Sequence, residues 1–436
     1  MNKSSLLVLI AAAFSSTLYA APLPQVVEGL LQSSPDILIE SANRNASNFA
    51  VEQAKAGYLP QIELSAGAGR EYMKDLATRN AFSGSGKSYN RQDAEAQLVQ
   101  MLFDGNGVGS EVARQRARQL GAAHRLASTS EDIALKTTEA YLDVLLAQEV
   151  LKLTQANLAA HESTAEQVKL RTAGGFGRKS DDEQINARVA LAKANLGAAQ
   201  SALNEAQIAY MRFVGAEPQG LTLPDAPKDV PQNSADVGDW AVANNRALQA
   251  AKADVLGAQA QLGIAKSQMY PRVNLEAGAS YYNALDGITV EETTRAYGML
   301  RVRYAFKSGA DKQRVAETTE LSYAAQELAR RVERQVRQNA SLSWNSMTIA
   351  SERVPELVKY AESSKLARDE YSKQFSLGQR SLLDLLDGEN EYFTASRDLA
   401  SGKMDELRAR FRLMADGNQL LKTLAVEPLA GTLLPE

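Results

Sequence analysis

Residues 57–68 read Gly57-Tyr58-Leu59-Pro60-Gln61-Ile62-Glu63-Leu64-Ser65-Ala66-Gly67-Ala68, and the apolar spacing changes inside them. From Pro35 to Gly57 the period is near 3.6, which predicts a helix closed at Gly57 to Pro60. From Ile62 the period is 2. Ile62, Leu64, Ala66 and Ala68 alternate with Glu63, Ser65, Gly67 and Gly69, so a strand follows with one apolar face and one polar or tiny one.

The same text recurs 211 residues later. Ala265-Lys266 and Met269-Tyr270-Pro271-Arg272-Val273-Asn274-Leu275-Glu276-Ala277-Gly278-Ala279 match Ala54-Lys55 and Tyr58 to Ala68. Pro60 and Pro271 thus stand at equivalent strand entries. At a shift of 203, Phe103 falls on Phe306, Tyr141 on Trp344, Gly175 on Gly378 and Asp181 on Asp384. The chain is a tandem repeat of helix, β-hairpin, very long helix, break and return helix.

In the first copy a polar loop, Lys74 to Arg91, precedes a second alternation of Ala96, Leu98 and Leu102 against Glu95 and Gln97. Asp104 to Gly109 reads as a turn. From Ser110 to Ala173 there is no proline and a single glycine, Gly121, so one helix of about 65 residues and roughly 100 Å is expected. Val144, Leu151, Leu158 and Ala165 recur every seven residues, which is coiled-coil spacing. Gly174 to Lys179 breaks this helix, and a return helix runs from Ser180 to about Val214. Pro355, in the second long helix, predicts a kink or local interruption.

Five segments result. Residues 1–20 form a signal peptide, 21–217 the first repeat with its hairpin at about 60–103, and 218–235 a Pro-rich connector. Residues 236–427 form the second repeat with its hairpin at about 271–306, and 428–436 a tail. Lys3, the apolar run Leu6 to Phe14 and the small Ala20 compose the signal, which predicts export. The chain of 436 residues has only 12 Pro and 6% aromatic residues, the composition of long helices. A net charge of -4 without a basic block argues against a nucleic-acid partner. Cysteine is absent, which excludes disulfides, thiol chemistry and a lipid-anchored N-terminus, and His124 and His161 alone do not make a metal site.

Beyond the signal no apolar run is long enough for a membrane helix, so any crossing must use strands. Four strands per chain cannot close a barrel, but three copies would supply twelve, an even number suited to the outer membrane. Val302, Tyr304 and Phe306 would face lipid, and Arg301 and Arg303 the lumen. The alternative is a soluble sandwich of short hairpins on a secreted helical protein.

The second break lies in Phe375 to Ala395. Gly378 stops one helix, and Ser381 with Asp384 spells a capping box that starts the next. Asp384 and Asp387 fall on one face of its first turns, with Arg380 just outside. Asp384 is accounted for by capping, and Asp181 by its place at a helix N-terminus. Asp387 has no capping role.

This organisation resembles the TolC family of outer-membrane channel proteins over nearly the whole mature chain. The motifs are Gly57 to Pro60 and Met269 to Pro271 entering strands, Leu102-Phe103-Asp104-Gly105 leaving one, and the breaks at Gly175 and Gly378. The resemblance implies a mainly α fold with a small β part: a trimeric 12-strand β-barrel in the outer membrane, continuous with a 12-helix α-barrel in the periplasm. It also implies an aperture at Asp384 and Asp387, with Gly378 and Arg380 completing the family pattern. Its lock would involve Arg380, Asp181 and Phe375, the last replacing the family's usual Tyr and removing a hydroxyl. Under three-fold symmetry six carboxylates would ring one axis and attract cations, while Arg380 would pair with Asp181 of the adjacent hairpin.

No catalytic constellation, cofactor motif or metal site stands out. Ala81 to Ser88 fits a loose P-loop pattern without the strand and helix that one needs. Gly105 to Gly109 lacks the βαβ setting of a dinucleotide loop, and Asp181 to Gln184 reads as a solvated helix start. The expected function is a passive exit duct working with a periplasmic adaptor protein and an inner-membrane ABC transporter. The run Leu377 to Asp387 resembles the type I secretion branch, whose cargo is unfolded protein such as adhesins or toxins. Drug or metal efflux, and a non-channel periplasmic coiled-coil scaffold, are the other two readings.

Overall fold

The computed structural model describes residues 22–74, 87–283, 292–307 and 309–432. The signal-peptide segment lies outside them, as do most of the first hairpin loop and the last four residues. Helix α1 spans Leu23–Ser33 and α2 Pro35–Lys55; strands β1, Gln61–Met73, and β2, Lys87–Phe103, follow, then α3, Gly107–Ala173, and α4, Lys179–Val214. The second half gives α5, Ser234–Asn244, α6, Arg246–Ser267, β3, Arg272–Asn283, β4, Glu292–Arg303, α7, Ala310–Ser376, α8, Leu382–Asp416, and the short α9, Leu420–Thr423.

Two elements differ from the expected course. Helix α1 stands ahead of the predicted first helix and buries Leu23, Val26, Val27, Leu30 and Leu31, an i, i+3, i+4 stripe. Helix α7 runs without interruption through Pro355. A proline removes one backbone donor, a single bond in a helix of 67 residues.

Tertiary contacts divide the chain into two units. The first comprises residues 1–38, 128–245 and 336–429, and its fully buried side chains include Tyr141, Leu142, Ile185, Leu386, Phe411 and Leu413. Here the repeat equivalents Tyr141 and Trp344 hold one connector. The Tyr141 hydroxyl accepts from Thr222 N and donates to Thr222 O, both at 2.8 Å, and Trp344 Nε1 donates to Pro231 O at 3.2 Å.

The second unit comprises residues 39–127, 246–335 and 430–436, with Leu126 and Leu248 fully buried, and it carries the sheet. The strands pair antiparallel in the order β1-β2-β3-β4. Strand β2 begins at Lys87, so the polar loop is shorter than expected: Arg91 sits in the ladder opposite Gly69 and pairs with Glu71 at 3.2 Å and Asp93 at 3.0 Å. Ser88 lies in this strand and opens no helix, which removes the P-loop reading at that end. Strand β4 stops at Arg303, and Tyr304 and Phe306 lie just beyond it, their rings edge to face at 5.0 Å. At the turn into α3, Asp104 accepts from Gly107 N at 2.9 Å and Val108 N at 2.6 Å, an N-terminal cap.

Among the described residues no helix is long and apolar enough to cross a membrane. The sheet offers another surface. Register places Ile62, Leu98, Ala277 and Gly298 in one row, and Leu64, Ala96, Ala279 and Ala296 in the next. In these two rows the face is apolar across four strands, and no described residue covers it: Leu64 is 75% exposed, and Leu300, in the next row with Leu275 and Gln100, 62%. The opposite face carries Glu63, Gln97, Glu95, Ser280, Asp93, Arg301 and Arg303.

Candidate functional site

Helices α3 and α7 end in the same way at the two breaks. Gly175 has φ +80° and Gly378 φ +77°, the left-handed region that favours glycine. Phe176 N donates to Arg171 O at 2.9 Å and Gly175 N to Thr172 O at 3.1 Å; Gln379 N donates to Gln374 O at 2.9 Å and Gly378 N to Phe375 O at 3.0 Å. Both sets form the paired 6→1 and 5→2 bonds of a Schellman motif, 203 residues apart.

The following helices start differently. In α8, Ser381 is the N-cap: its hydroxyl accepts from Asp384 N at 3.2 Å and donates to Asp384 Oδ2 at 2.8 Å. The Asp384 side chain therefore returns to the Ser381 hydroxyl, a variant of the expected box. In α4 the N-cap is Arg178 without a side-chain cap, and Asp181 lies in the first turn with its carboxylate 3.5 Å from the Ser180 hydroxyl. An acid there is favoured by the helix dipole.

An apolar cluster unites the two breaks. Val168, Ile185, Phe375, Leu382, Leu385 and Leu386 are buried together, with Ala165, Val189 and Tyr371 packed against them. Phe375 is thus a core residue, and it takes part in polar contacts through its ring and its carbonyl. Arg171, on the last turn of α3, donates to Phe375 O at 2.8 Å and Ser376 O at 2.9 Å and sets its guanidinium 4.5 Å from the Phe375 ring. Ser376 O belongs to the last turn of α7, whose carbonyls have no further helical donor.

The charges sort into two groups. Arg380 Nη1 stands 3.8 Å from Asp384 Oδ2, and its guanidinium lies 4.0 Å over the Tyr371 ring. Within the chain, among the described residues, its carboxylate partner is Asp384, while Asp181 stays on the other hairpin. Asp387 stands 3.8 Å from Arg188 Nη2 of α4, so this acid is not spare. Behind it, His161 is buried, and burial followed by the charge of Arg188 lowers its pKa. Deeper along α8, Glu389 is buried 3.4 Å from Arg368, and burial raises its pKa. Arg171, Arg188 and Tyr371 were not among the expected site residues, since each acts on a partner distant in sequence or carries no motif. Pro60 and Pro271 stand where expected, one residue before β1 and β3. No group of three or more His, Asp or Glu side chains that could hold a metal occurs among the described residues.

Capped breaks on long helices, an acidic pair at a helix start and a sheet with a bare apolar face are joined by similarity to known proteins. The profile of the family described as "Outer membrane efflux protein" matches residues 26–216 and 237–415. The chain belongs to that family. This efflux-family chain is an outer-membrane protein, in a family of channels that transport rather than catalyse. It is 26% identical over 362 residues to the outer membrane efflux protein BepC of Brucella suis, covering 83% of this chain and 77% of the relative. To the outer membrane protein TolC of Vibrio cholerae it is 24% identical over 415 residues, covering 92% and 91%. To the alkaline protease secretion protein AprF of Pseudomonas aeruginosa it is 24% identical over 398 residues, covering 88% and 81%. The crystal structure of the outer membrane protein VceC of Vibrio cholerae shares its fold, with a TM-score of 0.77 at 17% identity over 93% of this chain and 96% of that one. The resemblance to the TolC family is thereby borne out, and with it a mainly α fold with a small β part.

Proposed function

We propose that three copies of this outer-membrane efflux protein close into an exit duct, most like those of type I secretion. The carrying observation is the sheet: among the described residues its apolar face is uncovered, and the outer edges of β1 and β4 pair with no further strand. Open edges are not tolerated in lipid, and four strands are too few to close. Joining β4 of one copy to β1 of the next gives twelve strands with the apolar face outward and the ion-paired face inward. The helices would continue this barrel as a twelve-helix periplasmic tunnel.

The breaks at Gly175 and Gly378 then form the aperture, with Asp384 and Asp387 repeated around the axis. Ser381 fixes where they point. Arg380 and Asp181 of neighbouring hairpins, with Phe375 packed beneath, form the lock; Arg380 reaches the edge of its hairpin and is held there by Tyr371. The partners are a periplasmic adaptor, an inner-membrane ABC transporter and an unfolded protein cargo. The run Leu377 to Asp387 favours secretion, as does the naming of a relative for protease secretion. Drug or metal efflux is favoured by the naming of BepC as an efflux protein.

A deletion strain separates the two. Loss of a secreted protein from the medium or cell surface is the expected result, whereas drug or metal hypersensitivity with a normal secretome would establish efflux instead. Detergent extracts of the outer membrane should yield a heat-modifiable trimer; a monomer in the periplasmic fraction would overturn the duct and favour the scaffold reading.

A further inference from the structure

Strand β3 begins, and β4 ends, with arginine. Arg272 pairs directly with Arg303, and Asn274 with Arg301, on the polar face of the sheet. Like charges on directly opposed residues destabilise a strand pair. Arg301 is offset by Glu276, which is 2.6 Å away and nearly buried, with its side chain 7% exposed. Arg272 and Arg303 are exposed, and neither has a carboxylate partner among the described residues.

Other acids near this end are committed elsewhere. Asp104 caps α3, and Asp311 is 3.4 Å from Lys307. The next acid along the polar face, Glu63, shares a row with Gln97, Gly278 and Tyr297, six residues from Arg303 along β4. At ~3.3 Å per residue that is about 20 Å, beyond the screening length of ~8 Å at physiological salt.

We propose that Arg272 and Arg303 form a cationic collar that makes the duct favour anionic solutes at this level; this rests on the duct reading above. Both side chains lie on the face opposite the apolar one, so the ligand is a solute in the aqueous passage and not a membrane lipid. Three copies would place six guanidiniums without a carboxylate partner among the described residues of their own chain around the axis, and arginine rings of this kind select anions. The planar fork of each guanidinium suits carboxylate and phosphate oxygens, so acidic groups on a passing solute are the chemical class attracted.

The test uses the full-length trimer in planar bilayers under a roughly tenfold KCl gradient, in an Asp384→Asn/Asp387→Asn background so that the acidic aperture does not mask the collar. Adding Arg272→Gln and Arg303→Gln should lower the chloride-to-potassium permeability ratio at least about twofold. The charge-keeping pair Arg272→Lys and Arg303→Lys should retain it. An unchanged ratio in conducting Gln channels would overturn the collar and leave the duct standing, while no conductance from the wild-type trimer would overturn both. If the double Gln variant does not assemble, each single variant must lower the ratio, and two unchanged ratios overturn the proposal.

Discussion

Arg188 Nη2 stands 3.8 Å from Asp387 Oδ1, joining the return helix of the first hairpin to that of the second. The arginine side chain is 34% exposed and the aspartate 65%, so water screens the pair and its contribution to stability is at most about 1 kcal/mol. Its effect on permeating ions should be larger. Arg188→Gln leaves the Asp387 charge unneutralised and should raise the cation preference of the channel, whereas Asp387→Asn should lower it. Reversal potentials in planar bilayers read both, and equal values in the two variants would show that the pair lies off the ion path.

Gly175→Ala and Gly378→Ala test the two Schellman ends. A Cβ at either position meets open space, so the penalty is one of backbone conformation alone. Each substitution should cost about 1–2 kcal/mol, because an L-residue resists the left-handed region. Asparagine should cost less at both positions. Thermal unfolding of the detergent-solubilised protein measures the difference, and Ser381→Ala in the same series should lose about 1 kcal/mol of capping.

Arg171→Ala removes two charge-assisted hydrogen bonds to Phe375 O and Ser376 O together with the ring contact. Hydrogen bonds to a charged group contribute about 1.5–3 kcal/mol, so the two breaks should separate more readily. The expected outcome is higher single-channel conductance and faster protease cleavage at residues 174–178. Arg171→Lys keeps the charge but loses the fork, and should fall between the two.

His161 makes stability depend on pH. Its folded pKa lies below the ordinary 6.5, through burial first and the Arg188 charge second. The unfolded chain therefore binds the extra proton first as pH falls, and stability drops from about pH 6.5 downward through the folded pKa. His161→Gln should flatten that part of the stability curve. Denaturant midpoints at several pH values between 7 and 5 give the slope, and an unaltered slope would assign the acid sensitivity to other groups.

The strands, the two breaks and the 203-residue repeat were legible in the sequence because each rests on local chemistry. Alternation, a left-handed glycine and a Ser-to-Asp cap all act within a few residues. Helix α1 carries an equally plain stripe in Leu23, Val26, Val27, Leu30 and Leu31, but it directly follows the apolar signal segment, which blurs where a helical period begins. Pro355 leaves α7 uninterrupted because it removes a single backbone donor from a helix of 67 residues. Arg171, Arg188 and Tyr371 were out of reach for a different reason. Arg171 meets Phe375 across 204 residues, and no spacing rule spans that distance. Tyr371 gains its role only when Arg380 folds back over its ring.

The tether at Tyr141 and Trp344 bears on how such a chain can diverge over generations. Both aromatics grip main-chain atoms of the connector, at Thr222 and Pro231. Substitutions between those two points leave the grip untouched. This segment can drift in composition, and accept foreign epitopes or labels, while the halves of the duplication stay fastened to it.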